Sequence, residues 1–408
     1  MKEKIYPREK YLSKIRPFYD SDIVKVITGI RRCGKSSILK TVIMELEAKN
    51  AGDRIIYLPL DKRGFKNIRT PDELERRIEA QIKDEDPYYL LIDEVQNVKG
   101  FEAVVLQYEE EGYSIFLTGS NSYLLSDEIS TKLTGRYLSF EIFPLDFGEY
   151  LEIKRFFRKP IHTDMYQEFI EYLTVGGFPK AVEFEDRASK QLYTKEIIRE
   201  IFQKDIKTRN RIANPAVFER VQSYIINNYT ARFTLQNLCE SLAAAGIHTK
   251  QSTVKKYIDI LKKAKIIQEC NRFDLKSKRA IAREQKYYLT DLSLYFATNV
   301  DNQYNFGPSL ENLVYLYLVS KGYEVSIGMI GRFECDFIVR KPGGDYAYIQ
   351  VTYSMTANEK VKEREYRPFR EIRDGYPRYI ISLDTLRDQQ EGVHHVNAMD
   401  VFLNKVEI

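Results

Sequence analysis

The sequence KVITGIRRCGKSSILK, residues 25–40, decides the fold, because an apolar run is followed by a loop between two glycines and then by a helical pattern. Gly29 and Gly34 enclose four residues and are followed by Lys35 and Ser36, which completes the pattern G-x-x-x-x-G-K-[ST]. Glycine lets the backbone curl without a Cβ clash, and the start of the next helix can face phosphate groups. The stretch therefore predicts a strand, a phosphate-binding loop and a helix, with a chance Gly-Lys-Ser turn as the alternative.

The loop pattern also assigns a task to its side chains. We expect Lys35 to reach the β- and γ-phosphates of a nucleoside triphosphate, and the Ser36 hydroxyl to be a ligand of Mg²⁺, which prefers hard oxygen ligands. ATP and Mg²⁺ are accordingly the predicted ligand and ion. The predicted nucleotide-binding residues form one run, namely Gly29, Ile30, Arg31, Arg32, Cys33, Gly34, Lys35, Ser36 and Ser37.

Length and composition limit the class of protein. The chain has 408 residues, of which 43% are hydrophobic, and this length predicts about two to four domains. A formal net charge of +4 gives no overall basic field, so any nucleic-acid surface has to be local. The sequence has no run of about 20 apolar residues, and we expect a cytoplasmic protein without a membrane span. Wide spacing argues against a zinc site or a disulfide framework for the four cysteines, Cys33, Cys239, Cys270 and Cys335.

A second apolar run, YYLLIDE (Tyr88–Glu94), ends in two acids. A buried parallel strand would deliver both carboxylates to the rim of a nucleotide site. We expect Asp93 to hold Mg²⁺ and Glu94 to orient or deprotonate an attacking water. A strand that simply enters an acidic turn is the alternative, and the loop upstream favours the catalytic interpretation.

Strand and helix patterns alternate through this region and predict a parallel sheet with helices on both faces. The strand Tyr113–Leu117 leads into the polar run TGSNS, where Asn121, and next Ser120, could sense a γ-phosphate or hold the attacking water. A cap for the following helix is the alternative. Arg136 precedes the run Tyr137–Phe143, from which it could reach the γ-phosphate of a neighbouring subunit. A homo-oligomer is the corresponding partner prediction. The predicted catalytic residues are Glu94, Lys35, Asn121 and Arg136.

These motifs resemble those of a known family. GIRRCGKS, YYLLIDE, TGSNS, LTGRY with FPLDFGEY, and VGGFP are similar to the AAA-type (AAA+) ATPases of bacteria and archaea whose C-terminal half is a nuclease-like domain. The resemblance covers nearly the whole chain, and its motifs are specific in the N-terminal half. It implies an AAA+ core with a helical lid, a sensor at Ser120 or Asn121, and an arginine finger at Arg136. A surface salt bridge is the alternative for that arginine.

The region after the core predicts the lid. Helical stretches lie around Phe147–Phe156, Asp164–Thr174 and Arg187–Lys204. Between the second and the third, VGGFP (Val175–Pro179) contains two glycines and a proline, which is typical of a sharp interruption. This interruption is either a hinge over the nucleotide or an ordinary loop between helices.

Residues 217–298 predict a winged helix with a local basic surface. Two helices, Phe233–Leu242 and Ser252–Ala264, precede a hairpin with strands Ile266–Phe273 and Gln285–Leu289. A solvated face on a protein-docking module is the alternative to DNA binding. The residues expected to contact phosphates of duplex DNA are Lys255, Lys256, Lys278 and Arg279.

The last hundred or so residues carry polar residues in an order that resembles the PD-(D/E)XK nuclease fold. Glu311 lies in a helical pattern, Asp336 in a strand pattern, and Gln350 near the end of the next strand. The family places a lysine two residues after its last acid, where this chain has Thr352. The loss of an anionic ligand and of an ammonium group predicts a remnant without cleavage, unless another lysine such as Lys360 or Lys362 moves in.

The sequence thus predicts an α/β protein in four parts. They are a P-loop NTPase (AAA+) parallel-sheet core over residues 1–145, a helical lid over 146–210, a winged helix over 211–300 and a mixed α/β nuclease-like domain over 301–408. The predicted function is ATP hydrolysis that drives or gates a conformational change on or near DNA. An ATP-dependent switch that recruits protein partners and an ATP-gated nuclease are the alternatives.

Overall fold

A computed structural model describes most of the chain, and for residues 279–284 it describes the backbone alone. The described chain forms two compact units. The first comprises Met1–Pro144 with Phe178–Lys180 and Lys263–Lys265, and the second comprises Leu145–Gly177, Ala181–Lys262 and Ile266–Ile408. The described residues are 4–49, 51–119, 133–207, 210, 212–275, 279–297, 299, 306–331, 333–341, 343–356, 359–385 and 389–408.

The first unit is built on a parallel sheet with the strand order β2-β3-β4-β1-β5. These strands are β1 (Val24–Thr28), β2 (Ile55–Pro59), β3 (Tyr89–Asp93), β4 (Ser114–Thr118) and β5 (Tyr137–Glu141). Parallel strands place their carboxyl ends at the same edge of a sheet. Thr28, Asp93 and Thr118 therefore lie at the edge that leads into the phosphate-binding loop.

The helices of the first unit connect these strands and cover the sheet. They are α1 (Glu9–Ile15), α2 (Lys35–Ala48), α3 (Pro71–Glu79) and α4 (Phe101–Glu110). A buried core joins the sheet to α3 and α4, and it includes Leu90 of β3, Leu74 of α3 and Val105 of α4. The predicted α/β fold with a parallel P-loop sheet is confirmed.

The second unit begins with the helices that the sequence predicts after the core. The helices are α5 (Phe147–Phe156), α6 (Met165–Val175), α7 (Arg187–Glu200), α8 (Pro215–Asn227), α9 (Leu235–Ala244), α10 (Gln251–Lys263), α11 (Ser293–Phe296), α12 (Phe306–Lys321), α13 (Glu359–Arg370) and α14 (Ala398–Phe402). After α7 the chain continues as a π-helix over Ile201–Lys207. Among the described helices, none is both long enough and apolar enough to span a membrane.

The strands of the second unit belong to one mixed sheet with the order β13-β14-β12-β11-β10-β9-β7-β8-β6. The hairpin strand β7 pairs antiparallel with β8 and parallel with β9. The hairpin and the C-terminal strands therefore share a sheet, and the predicted boundary at residue 300 does not interrupt it. The strands are β6 (Arg232–Phe233), β7 (Ile267–Asp274), β8 (Arg279–Leu289), β9 (Glu324–Ile330), β10 (Phe333–Arg340), β11 (Tyr346–Val351), β12 (Arg378–Ser382), β13 (Gln389–Gln390) and β14 (Val393–Asn397).

Candidate functional site

The loop between β1 and α2 has the backbone that its glycines predict. Gly29 and Gly34 have φ angles of 147° and 106°, in the left-handed region that favours glycine. A Cβ atom on Gly29 would lie 2.2 Å from the carbonyl oxygen of Ile142. Both the backbone angle and the close approach therefore require glycine at position 29.

Lys35 opens α2 and is only 5% exposed. Its ammonium group donates hydrogen bonds to the carbonyl oxygens of Gly29 and Ile30, each at 3.0 Å. Both acceptors are neutral, so these bonds occupy two of the three donors of Lys35 without neutralising its charge. The ammonium group thus lies beside the loop, where phosphate oxygens can replace the two carbonyl oxygens as its acceptors.

Asp93 ends β3 and is buried at the same edge of the sheet. The hydroxyl groups of Thr118 and Ser36 hydrogen-bond its carboxylate. Burial raises the pKa of Asp93, and the two hydroxyl groups offset only part of that effect. The oxygens of Ser36 and Asp93 form a donor set of the kind that Mg²⁺ prefers, so these residues fit the predicted ion.

Thr118 also fixes the acid that follows Asp93. The Glu94 N–H donates to the Thr118 hydroxyl at 3.0 Å, and Glu94 has a left-handed backbone with φ of 58°. The Glu94 carboxylate accepts a hydrogen bond from the Gln96 side chain. Thr118 therefore positions both acids, Asp93 through its side chain and Glu94 through its backbone.

Comparison with known proteins agrees with this geometry. Residues 21–151 match the family model described as an AAA domain. The first unit carries an AAA-type P-loop domain. Residues 166–304 match a domain of unknown function, DUF8612.

Similar chains span most of the length of this one. An uncharacterized protein of Haemophilus influenzae is 29% identical over 386 residues, which cover 94% of this chain and 94% of that protein. An uncharacterized protein of Methanocaldococcus jannaschii is 29% identical over 386 residues, covering 92% and 85% respectively. A Walker-type ATPase of Pyrococcus abyssi matches the structure with a TM-score of 0.51 and 16% sequence identity, over 72% of this chain and 96% of that chain. At this identity the structural likeness shows the fold.

The tip of β4 in the AAA domain is where the sequence predicts a sensor. Asn121 and Ser120 lie outside the residues that the structure describes, and their role stays a prediction. The sequence pattern does not single out Thr118. It predicts the strand before this residue, but not the pairing of β4 with β1 and β3 that brings Thr118 to Asp93.

Arg136 lies at the amino-terminal ends of the parallel strands, opposite the edge that carries the phosphate-binding loop. It precedes β5, which runs parallel to β1, and its carbonyl oxygen accepts the N–H of Val24 at the start of β1. Its exposed guanidinium group forms salt bridges with Glu109 at 2.8 Å and Glu110 at 3.0 Å. Within its own chain Arg136 is a surface salt-bridge residue, and its action on a neighbouring subunit stays a prediction.

The basic surface predicted for the second unit is described in part. Lys255 and Lys256 are exposed on α10, whereas the apolar side of that helix, including Tyr257, is buried. Lys278 lies outside the described residues, as does the side chain of Arg279. The structure therefore places two of the four predicted phosphate contacts on a solvent-facing surface.

The residues predicted by the nuclease resemblance lie close together. The N–H of Asp336 donates to the Gln350 side-chain oxygen at 3.1 Å, and the Asp336 carboxylate accepts the Val351 N–H at 2.8 Å. Lys286 of β8 connects Asp336 to Glu311. We call Lys286, Glu311, Glu334 and Asp336 the carboxylate cluster.

Lys286, on strand β8, brings an ammonium group to the acids of the cluster. Its Nζ atom lies 2.9 Å from Glu311 Oε1, 2.9 Å from Glu334 Oε1 and 4.0 Å from Asp336 Oδ1. The sequence predicts the loss of an ammonium group at position 352, with Lys360 or Lys362 as possible replacements; the cation that the structure places beside Glu311 and Asp336 is Lys286, on a strand of the hairpin. No local spacing reveals this, since the contact depends on the pairing of the hairpin with the C-terminal strands.

The carboxylate cluster holds positive and negative charges at short distances from one another. Burial alone would lower the pKa of Lys286, but Glu311, Asp336 and Glu334 outweigh burial and raise it. Burial raises the pKa of Asp336 well above its ordinary range, and Glu311 raises it further. Arg232 adds a second cation at 2.6 Å from Glu334. The charges of this region thus compensate one another.

A third group of titratable side chains lies among the helices of the second unit. His162, Glu168 and Glu171 have ligand atoms within 4.8 Å of one another. Buried lysines already bind both carboxylates, because Lys154 pairs with Glu168 and Lys190 pairs with Glu171. The two carboxylates therefore belong to a salt-bridge network, and His162 lies at its exposed end.

Proposed function

We propose that the protein binds ATP at the loop between β1 and α2 and hydrolyses it. The proposal rests on the buried Asp93 carboxylate, which hydroxyl groups of Ser36 and Thr118 hold at the same sheet edge as Lys35. An anion with hydroxyl partners and a cation with carbonyl partners keep their charges available to a ligand. Together they complement a triphosphate and its metal ion.

Each polar group then has a defined task in hydrolysis. Lys35 exchanges its two carbonyl acceptors for phosphate oxygens, since ammonium–phosphate hydrogen bonds are charge-assisted. Ser36 and Asp93 would hold Mg²⁺, which when bound withdraws negative charge from the phosphates. Glu94 orients the attacking water or accepts its proton. Thr118 keeps both acids in place.

Two substitutions separate binding from turnover. Lys35→Ala should abolish nucleotide binding in calorimetry, because the phosphates lose their cation. Glu94→Gln should keep the wild-type affinity and lose phosphate release, because an amide cannot accept a proton. Glu111→Gln, which changes an exposed acid of the same unit, is the control and should behave as wild type. Equal loss of binding in Lys35→Ala and Glu94→Gln would contradict the assigned roles.

We propose a second function for the second unit, the binding of duplex DNA through phosphates. Its support is the order α8, β6, α9, α10 and the β7–β8 hairpin, which is typical of a winged helix, together with exposed Lys255 and Lys256. Lysine is a compact charge that suits phosphates and carries little information about base sequence. The predicted interaction is therefore largely independent of sequence.

The salt dependence of DNA affinity tests this second function. Affinity of a labelled duplex in fluorescence anisotropy should fall steeply with salt, and Lys255→Ala/Lys256→Ala should flatten the slope by about one unit per lost phosphate contact. Lys66→Ala/Lys195→Ala removes two other exposed lysines and should leave the slope unchanged. If both double variants bind DNA as the wild type does, the protein-docking alternative is favoured.

For the carboxylate cluster we propose a structural role without DNA cleavage. The support is the pairing of Lys286 with Glu311 and Glu334. A metal ion would have to compete with an ammonium group that is already in place.

A further inference from the structure

Arg8 precedes α1 and lies outside the segment that matches the AAA model. It is only 3% exposed. Its Nη1 atom donates to the carbonyl oxygens of Cys33 at 2.9 Å and Phe143 at 2.8 Å, and its Nη2 atom lies 3.5 Å from the carbonyl oxygen of Pro144. One buried cation therefore joins the phosphate-binding loop to the last residues before the chain leaves the first unit.

Further contacts hold the same segment against the loop. The Ile142 N–H donates to the carbonyl oxygen of Thr28 at 2.8 Å. The hydroxyl group of Tyr11 accepts the Phe143 N–H at 3.1 Å, and the Arg8 guanidinium lies 4.7 Å from the centre of the Tyr11 ring. These contacts hold residues 142–144, which we call the exit segment, against the phosphate-binding loop and the residues before it.

We propose that Arg8 is a positioning residue that couples nucleotide occupancy of the loop to the exit segment. The inference rests on the proposed ATP binding. A guanidinium group presents five donors in a rigid plane and can bridge carbonyl groups of two segments, which the compact ammonium group of lysine does less well. Any displacement of the Cys33 carbonyl by bound phosphates must alter the bonds that Arg8 makes to Phe143 and Pro144. Coupling of this kind is reciprocal, so the exit segment also affects the loop.

Hydrogen exchange of the Ile142 and Phe143 amides tests the coupling. The full chain is measured with and without a non-hydrolysable Mg²⁺–ATP analogue. In the wild type the analogue should slow exchange by about 5- to 150-fold, the usual range of coupling between sites. Arg8→Lys should bind the analogue within about threefold of wild type and lose that response.

Arg16→Lys is the matched control. Arg16 lies on the same N-terminal segment, and its guanidinium group binds Glu9 and Glu45 instead of the loop. This variant should respond as the wild type does. Tyr11→Phe provides a second variant, which keeps Arg8 and the ring beside it and removes the hydroxyl that accepts the Phe143 N–H. It should bind the analogue and lose the slowing at Phe143.

The outcomes distinguish the two proposals. A wild type that fails to bind the analogue overturns the proposed function and the inference with it. A wild type that binds without a change at Ile142 and Phe143, or an Arg8→Lys variant with the full response, overturns the coupling alone. A purely structural role would raise exchange in Arg8→Lys equally with and without the analogue, and it also overturns the coupling.

Discussion

The phosphate-binding loop and the carboxylate cluster each bury one lysine to nearly the same extent but give it opposite partners. Lys35 is 5% exposed and Lys286 is 4% exposed. Lys35 donates to two neutral carbonyl groups, whereas Lys286 is paired with Glu311 and Glu334. Depth of burial therefore does not distinguish a ligand site from a structural one.

The partners decide what a buried charge can do. A charge that dipoles hold keeps its field, and in a low dielectric that field attracts a ligand of opposite sign. A charge that a counter-ion neutralises exerts only a weak field on a ligand, and its main contribution is to the fold. Asp93 with its hydroxyl partners belongs to the first kind, and Glu334 with Lys286 and Arg232 belongs to the second.

The largest expected effect is the loss of stability when each lysine is replaced by methionine. Lys286→Met should destabilise the second unit by about 3–5 kcal/mol, because it leaves the buried Asp336 and the half-buried Glu311 without their cation. Lys35→Met should change the stability of the first unit by about 1 kcal/mol or less, because the loss of two charge-assisted hydrogen bonds is offset by removal of a buried charge that has only carbonyl partners. Urea-dependent hydrogen exchange of amides in β10 and in β3 reports the two units separately. Equal losses would remove the distinction between the two lysines.

The effect of Lys286→Met should also depend on pH. Glu334 is half-buried, which opposes ionisation, but Lys286 and Arg232 hold its pKa below the ordinary value of 4.5. A carboxyl group with a lowered pKa stabilises the fold above its ordinary pKa, and this contribution is lost as the pH falls through the lowered value. The difference between Lys286→Met and wild type should therefore be full at pH 7 and shrink below about pH 4.5. A difference that does not change with pH would point to packing alone.

Sequence could predict the strands and the loop of the P-loop sheet, and the first helix after it, because these elements carry local signals. The apolar run Tyr88–Glu94 predicts a strand that the structure places at Tyr89–Asp93, and the helix predicted over Phe147–Phe156 has those bounds. Glycine spacing predicts the loop, and the left-handed φ angles of Gly29 and Gly34 agree with it. In each case neighbouring residues contain the whole signal.

The contacts that sequence could not predict join residues far apart in the chain. Arg8 binds Phe143, and Lys286 binds Glu334. Such contacts depend on strand order and on which segment packs behind a loop, and no periodicity encodes either. For the same reason, the sequence does not predict that the hairpin and the C-terminal strands share one sheet. Thr118 is an intermediate case. The sequence predicts the strand that leads to it, but not that β1 and β3 are the neighbouring strands.

A smaller effect is expected when Thr118, a hydroxyl partner in the ligand site, is replaced. Thr118→Val keeps the shape of the side chain and removes a hydrogen bond to a charged group, an interaction worth about 1.5–3 kcal/mol. The rate constant kcat for ATP hydrolysis should fall roughly ten- to hundredfold. Affinity for ATP in calorimetry should change by less than about threefold, because Lys35 and the loop are intact.

Two variants show whether the hydroxyl group is the cause. Thr118→Ser restores it and should recover most of kcat. Thr28 is another buried threonine at the same sheet edge, and its hydroxyl has no hydrogen-bond partner within the described residues. Thr28→Val should leave kcat close to wild type. If Thr118→Val and Thr28→Val lose activity equally, the orientation of Asp93 and Glu94 does not depend on Thr118.

The smallest expected effect is the response of the carboxylate cluster to metal ions and DNA. Hydrolysis of a phosphodiester by a metal ion needs anionic ligands for the ion and positive charge at the phosphate. In the cluster Lys286 already neutralises carboxylates that would hold the ion, and its own charge is consumed in doing so. Loss of one such electrostatic contribution typically reduces a rate by about 10²–10³.

The wild type should therefore leave supercoiled, linear and single-stranded DNA intact in the presence of ATP and Mg²⁺ or Mn²⁺. In a separate measurement, Mn²⁺ alone should not slow hydrogen exchange of the β10 amides in the wild type. Lys286→Met should gain such protection from Mn²⁺, because an ion can take the place of the missing ammonium group among Glu311, Glu334 and Asp336. Cleavage by the wild type that disappears in Asp336→Ala, with ATP hydrolysis unchanged, would show that the cluster is a catalytic site. The paired lysine would then resemble Lys35 in function after all, and pairing would not separate a structural charge from one that acts on a ligand.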